Sequence, residues 1–178
     1  MGSGSSFACS IRLNTTLTPE QRALYQNEDV IRDLLDSAKN IAIVGLSTDS
    51  QKASYFVGSY LAREGYNVIP VNPRATEILG RKAYPDLLSI PDKVDVVDIF
   101  RPVEEIPRIT DQAIQIKARG LWLQLRLIDI ESAERARAAG LAVVVDRCVK
   151  MEHGRYRGGL HWAGMNTEII SARRAGAS

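Results

Sequence analysis

Lys52 and Ser54 follow a lone glycine turn, Gly45-Leu46-Ser47, and lead into an apolar helix that includes Tyr55. A hydroxyl at a helix start caps it, and the free N–H groups beside it suit a phosphate, with Lys52 as an added point charge. A second basic turn, Val71-Asn72-Pro73-Arg74, also follows an apolar run. Arginine's forked donors match a phosphate better than lysine's single charge centre. A third run ends at Phe100-Arg101-Pro102 and a fourth carries Gln124. Phe100 offers a flat apolar face, Arg101-Pro102 fixes a turn, and Gln124 offers an amide for hydrogen bonding. Cys148 lies between Arg147 and Lys150. Neighbouring cations favour a thiolate, so Cys148 is a candidate for thiol exchange with a ligand thiol.

These residues need elements to bring them together. Apolar runs read as strands at 41–44, 67–71, 94–99, 121–125 and 141–145. Helical patterns fall near 54–64, 103–118 and 130–139, closed by Gly65, Gly120 and Gly140. Asp29–Lys39 reads as a helix with Val30, Ile31, Leu34, Leu35 and Ala38 on one face, and Pro19–Gln26 as a helical turn or more. Between Gly80 and Pro91 the markers predict a short strand near Arg81–Tyr84 and a short helix near Asp86–Ser89. Alternating strands and helices imply an α/β fold, a doubly wound parallel sheet of Rossmann-like form in a single domain. In such sheets ligands sit outside the carboxyl ends of the strands. The reading divides the chain into a flexible leader and extension (1–28), the Rossmann-like domain (29–146) and a basic extension packing on it (147–178).

The chain has 178 residues, 45% apolar and 25% charged, with a net charge of +2. That charge is too small to argue for nucleic acid, and no apolar run reaches the ~20 residues of a membrane span. Two distant cysteines, Cys9 and Cys148, make no disulfide framework, which points to a reducing cytoplasm. The opening Gly/Ser segment is no secretory signal, and its Gly2 and Ser6 fit an N-myristoylation pattern only loosely. The extension 147–178 holds Arg147, Lys150, Arg155, Arg157, Arg173 and Arg174 against Glu152 and Glu168, so the positive charge resides there. Its glycines suggest a loop before a helix around Asn166–Ala172. Its apolar residues Leu160, Trp162, Met165, Ile169 and Ile170 suit the domain's own sheet edge or a second subunit of a homodimer.

The nucleotide class follows from what is missing. The G-x-G-x-x-G of common dinucleotide folds is absent, since Gly45 stands alone. An NAD site usually has an acid at the second strand end, and Asn72-Pro73-Arg74 replaces it. Arg74 favours a phosphate on the ribose, as in NADP or coenzyme A, and both remain open on this residue alone. His153 and His161 have no partner at helical spacing, so a metal site is not expected. Glu152 and His153 are adjacent and diverge. No catalytic constellation can be read from spacing.

Six stretches in order resemble a known family: Ile41 to Ser47, Gly65 to Pro73, Glu77 to Gly80, Val94 to Arg101, Leu121 to Leu125, and Asp146-Arg147-Cys148. Together they resemble the small stand-alone CoA-binding domains related to the alpha subunit of succinyl-CoA synthetase. The resemblance covers roughly Asp29 to Arg174. It implies that Gly45–Ser54 and Asn72–Arg74 hold the diphosphate and 3′-phosphate of CoA. It also implies that the third and fourth strand ends line the pantetheine path. The leading reading is therefore a non-catalytic carrier, sensor or regulator of CoA or acyl-CoA, and the residues at the strand ends leave an NADP-dependent oxidoreductase as the alternative. Two departures from the family stand out. Ser50-Gln51-Lys52-Ala53 replaces a loop that often holds prolines. Arg126 stands where the family often has glycine, so its side chain is expected to narrow the pocket or add a phosphate contact.

Overall fold

The computed structural model describes residues 16–157. Expectations for the leader, Gly2, Cys9, His161, the apolar extension residues and the Asn166–Ala172 helix lie outside the described residues.

Two short helices lead in. Helix α1 (Pro19–Tyr25) starts on a reciprocal cap between Thr18 and Gln21. Helix α2 (Glu28–Ser37) is capped by Asn27, whose side chain accepts from the Asp29 and Val30 N–H groups, and it buries Ile31, Leu34 and Leu35. The series that follows is β1 (Asn40–Val44), α3 (Ala53–Arg63), β2 (Asn67–Val71), a hairpin of β3 (Glu77–Ile78) and β4 (Arg81–Lys82), β5 (Val96–Ile99), α4 (Ile106–Gln115), β6 (Gly120–Leu123), α5 (Ile130–Ala138), β7 (Ala142–Val144) and α6 (Val149–Tyr156). Single 3-10 turns lie at Leu87–Ser89 and Val103–Glu105.

Five strands form one parallel sheet in the order β2-β1-β5-β6-β7. Both faces are covered, so the strands are apolar throughout rather than alternating. Ala42, Val44, Val97, Ile99, Leu121 and Leu123 face a core with Ile106, Ile109 and Ala113 of α4 and Ala133 and Ala136 of α5. Ile41, Ile43, Val96, Trp122 and Val144 face the other, with Ile31 and Leu34 of α2, Val57 and Leu61 of α3 and Val149 of α6. The expected α/β, doubly wound, Rossmann-like architecture is therefore the one adopted.

Three local expectations change. Gly120 does not close α4, which ends at Gln115; it opens β6. A Cβ there would lie 2.6 Å from a Leu34 methyl carbon, so α2 approaches the sheet only over glycine. The hairpin turn Leu79-Gly80 has positive φ at both residues (57° and 68°), the geometry that matches strand twist, and it adds β3 to the expected strand. The segment read as a loop after Arg147 contains α6, with Gly154 inside it. Val149 packs this helix on the core, and Glu152 is buried between Arg147 (3.4 Å) and Arg155 (3.5 Å). Part of the basic extension is thus the domain's own covering helix.

Candidate functional site

Strand order reverses between β1 and β5, so the crevice of this sheet opens beyond Val44 and Ile99. β1 ends as Gly45 turns with φ +89°, a left-handed conformation that favours glycine. Its N–H bonds the Val71 carbonyl at 2.9 Å, and the Phe100 N–H bonds the Val44 carbonyl at 2.8 Å. Three strand ends are locked side by side. A Cβ on Gly45 would meet Arg101 Cδ at 2.7 Å and the Phe100 carbonyl at 2.9 Å. Glycine is required here for both conformation and space.

The loop after Gly45 is built from its own polar side chains. Ser47 Oγ accepts from the Asp49 N–H at 3.0 Å, and Asp49 Oδ1 accepts from the Gln51 N–H at 2.9 Å. Ser54 was expected to cap α3, but the helix begins at Ala53, so the cap falls two residues earlier. Lys52 occupies the cap position without a side-chain bond. Ser54 is buried in the first turn, and its hydroxyl accepts from the Ser47 N–H at 3.1 Å, tying loop to helix. The first N–H groups of α3 therefore have no intrahelical acceptor and no side-chain cap. Its first turn holds no acidic residue. This is a helix start left open for an anion.

Asn72 ties the second strand end to the first. Its side-chain amide donates to the Leu46 carbonyl at 2.9 Å, and its Oδ1 accepts the Arg74 N–H at 2.9 Å. Arg74 is left exposed at the tip of the turn. Leu46 contributes only backbone to this region, because its side chain is fully buried beside α3. Tyr55 also packs partly into that core.

Two hollows flank the crevice and share Arg101. A small one of about 70 Å³ is lined by Gly45, Val71, Asn72, Pro73, Glu105 and Arg108 among others. A larger one of about 430 Å³ is mostly apolar, walled by Ala53, Val57, Phe100, Pro102, Leu125 and Leu127, with Gln124 and Cys148 as its polar members besides Arg101. Arg101 lies over Gly45 and forks onto Glu105 through one guanidinium edge, Nε and Nη2 both donating. This pairing raises the Arg101 pKa and holds the Glu105 carboxyl below the usual range. The sequence reading of Arg101 as a turn residue missed this pairing.

Gln124 donates to Asp98 Oδ1 at 2.7 Å. Asp98 has no exposed surface, and burial pushes its carboxyl up to about 7. Its Oδ2 has no hydrogen-bond partner. Sequence reading passed over Asp98. The available signal was a carboxylate inside Val96-Val97-Asp98-Ile99, a run meant to be buried on both faces.

Cys148 lies at the start of α6 on the wall of the larger hollow. The expected depression of its pKa is reversed. Burial pushes the thiol up, and the helix N–H groups of Met151 and Lys150 offset this only in part. The neighbouring cations are engaged elsewhere: Arg147 pairs with Glu152, and Lys150 sits 4.4 Å from the centre of the Phe56 ring. Arg126 is exposed rather than directed at the pocket. It takes the left-handed conformation (φ 66°) where the resembled family often has glycine, with its N–H held by Asp146 Oδ1 at 2.7 Å. Glu152 and His153 diverge as expected, the histidine bonding the Tyr60 hydroxyl at 2.9 Å. No group of three potential metal ligands occurs among the described residues. No helix among them is long and apolar enough to cross a membrane.

Comparison with known proteins gives a consistent assignment. The family model described as "CoA binding domain" matches residues 39–154. The uncharacterised protein YneT of Bacillus subtilis is 34% identical over 123 residues, which cover 69% of this chain and 91% of YneT. The solved structure of a hypothetical protein from Pyrococcus horikoshii OT3 is 41% identical with a TM-score of 0.70, covering 72% of this chain and 90% of that one. Acetate–CoA ligase (ADP-forming) II of Archaeoglobus fulgidus is 34% identical over 92 residues, 51% of this chain but only 14% of the ligase.

Proposed function

Since the chain belongs to the CoA-binding domain family, we propose that it binds coenzyme A or an acyl-CoA across the carboxyl ends of its parallel strands. One observation carries this reading: the open start of α3, beside the Gly45 turn, adjoins an apolar hollow of about 430 Å³. A ligand with a charged diphosphate head and a long weakly polar arm needs both surfaces at once. The loop from Gly45 through Ser47 to Ser54, with Lys52 and the first N–H groups of α3 including that of Tyr55, would hold the diphosphate. Val71, Asn72, Pro73 and Arg74 would form the turn that meets the 3′-phosphate. Phe100 and Gln124 would line the pantetheine arm, and Arg101 would exchange Glu105 for a phosphate oxygen.

In this reading the chain carries, senses or presents its ligand without transforming it. The ligase relative holds this region as a small part of a much longer chain. Thermal shift with CoA, acetyl-CoA, NAD and NADP in parallel tests the proposal. A ligand at ~100 times its dissociation constant adds about 2.7 kcal/mol to apparent stability. A shift with CoA or acetyl-CoA is expected. A larger response to NADP would replace this reading with the oxidoreductase alternative.

A further inference from the structure

The polar atoms of Gln124 are unequally used. Asp98 lies on β5 in register with Trp122 of β6, and Gln124, two residues further along, falls on the same sheet face. Gln124 is 5% exposed and lines the apolar hollow. Its Nε2 donates to Asp98 Oδ1 at 2.7 Å, the only hydrogen bond of this side chain among the described residues. Its Oε1 has no donor, yet it is not sealed within the core as Asp98 Oδ2 is. The amide therefore turns its nitrogen to the buried carboxyl and leaves its oxygen to the hollow.

The hollow offers little else to a polar ligand atom. Its walls are mostly apolar, Arg101 is committed to Glu105, and the Cys148 thiol accepts hydrogen bonds only weakly. A hydrocarbon lodged there would leave Gln124 Oε1 dehydrated and unpaired, which is unfavourable. An N–H donor would satisfy it. Asp98 sets this polarity. Its Oδ1 accepts whether or not Oδ2 carries a proton, so the amide nitrogen is held inward in either charge state. The carboxyl is fully buried with Oδ2 unpartnered, a cost that an apolar residue at this place on β5 would avoid.

The geometry points to Asp98 as a positioning residue that turns Gln124 so that its Oε1 accepts an N–H of the ligand's arm. The apolar hollow then recognises a secondary amide and distinguishes it from an ester or a plain hydrocarbon of the same shape. This rests on the CoA reading and deepens it, because the pantetheine arm carries two secondary amides among its methylene groups. Asp98 touches no ligand in this arrangement and acts only through Gln124.

Calorimetric titration of CoA and of two analogues, each with one pantetheine amide replaced by an ester, tests the inference. An ester keeps the carbonyl and the shape of the arm but has no N–H. The wild type is expected to bind one of the analogues about tenfold less tightly than CoA, the effect of leaving a buried acceptor without its donor. Gln124→Leu should bind CoA and that analogue equally. Asp98→Leu, which keeps Gln124 but removes the acceptor that orients it, should also lose most of the discrimination. A residue needed only for packing would weaken both ligands alike and leave their ratio unchanged. Equal binding of CoA and both analogues by the wild type, a comparison that needs no folded variant, would overturn the inference while leaving CoA binding intact. A tenfold ratio that survives in Asp98→Leu would overturn the positioning role. Binding of none of the three by the wild type would instead remove the CoA reading on which the inference stands.

Discussion

The two ends of the sheet carry hollows of opposite character, and the larger is at the end less suited to an anion. The amino-end cavity is about 570 Å³ and is lined by Asp36, Lys39, Glu64, Tyr66, His153 and Arg157 among others. Arg157 is paired to Asp36 there, and His153 bonds the Tyr60 hydroxyl. Helix α3 ends there at Glu64 and Gly65, presenting carbonyl groups and partial negative charge. The carboxyl end receives the start of the same helix, with its N–H groups open. One helix therefore gives the two ends of the molecule opposite local polarity towards anions, and the larger volume lies at the end that disfavours them.

The comparison can be broken most severely at Gly45. Valine there must take a positive φ, costing about 1–2 kcal/mol, and must also displace Arg101 and the Phe100 carbonyl. Gly45→Val is expected to lose stability by on the order of 3 kcal/mol and to abolish the thermal shift with CoA, measured in the same melting experiment. Persistence of a full CoA shift in a folded variant would move the site away from this crevice.

Asp98→Asn sharpens the comparison in the opposite direction. The folded pKa of Asp98 lies above its unfolded value, so its contribution is fully favourable below about pH 4 and is lost as pH rises towards about 7. Asparagine removes that loss. The variant should match the wild type near pH ~4 and exceed it by on the order of 3 kcal/mol above pH ~8 in urea unfolding. Equal stability across this range would show that the carboxyl ionises without penalty.

Smaller effects separate the two ends. Arg74→Ala should weaken CoA by about tenfold and dephospho-CoA much less, because only the former carries the phosphate that the guanidinium would meet. Equal losses for both ligands would reassign Arg74. At the other end, Arg157→Ala breaks a half-exposed ion pair and should cost under about 1 kcal/mol, with no change in CoA affinity by calorimetry. A change in affinity there would mean that the amino-end cavity takes part in binding.

The parts of the fold legible in the sequence were those set by local pattern. The bounds of β2 were predictable because Val68-Ile69-Pro70-Val71 is uniformly apolar between Gly65 and Asn72-Pro73, and Gly65 and Gly140 do take the left-handed conformation that ends a helix. What escaped depends on contacts distant in sequence. Helix α6 was hidden because its buried face mixes Val149 with Glu152, His153 and Arg155, and the glutamate is held between two arginines out of pattern in the sequence. Gly120 looked like a helix stop because nothing nearby reveals that Leu34 presses on it. At the site, Gly45 and Asn72 were marked by residue type, and the folded chain brings them together through the bond from Asn72 to Leu46. Asp98 and the Arg101–Glu105 pairing needed coordinates, since their significance lies in which atoms are, or are not, partnered.

Arg101 stands as the partition between the two carboxyl-end chambers, and its stem is a flexible aliphatic chain rather than backbone. A swing of this one side chain away from Glu105 would remove the wall the chambers share, while the sheet beneath stays as it is.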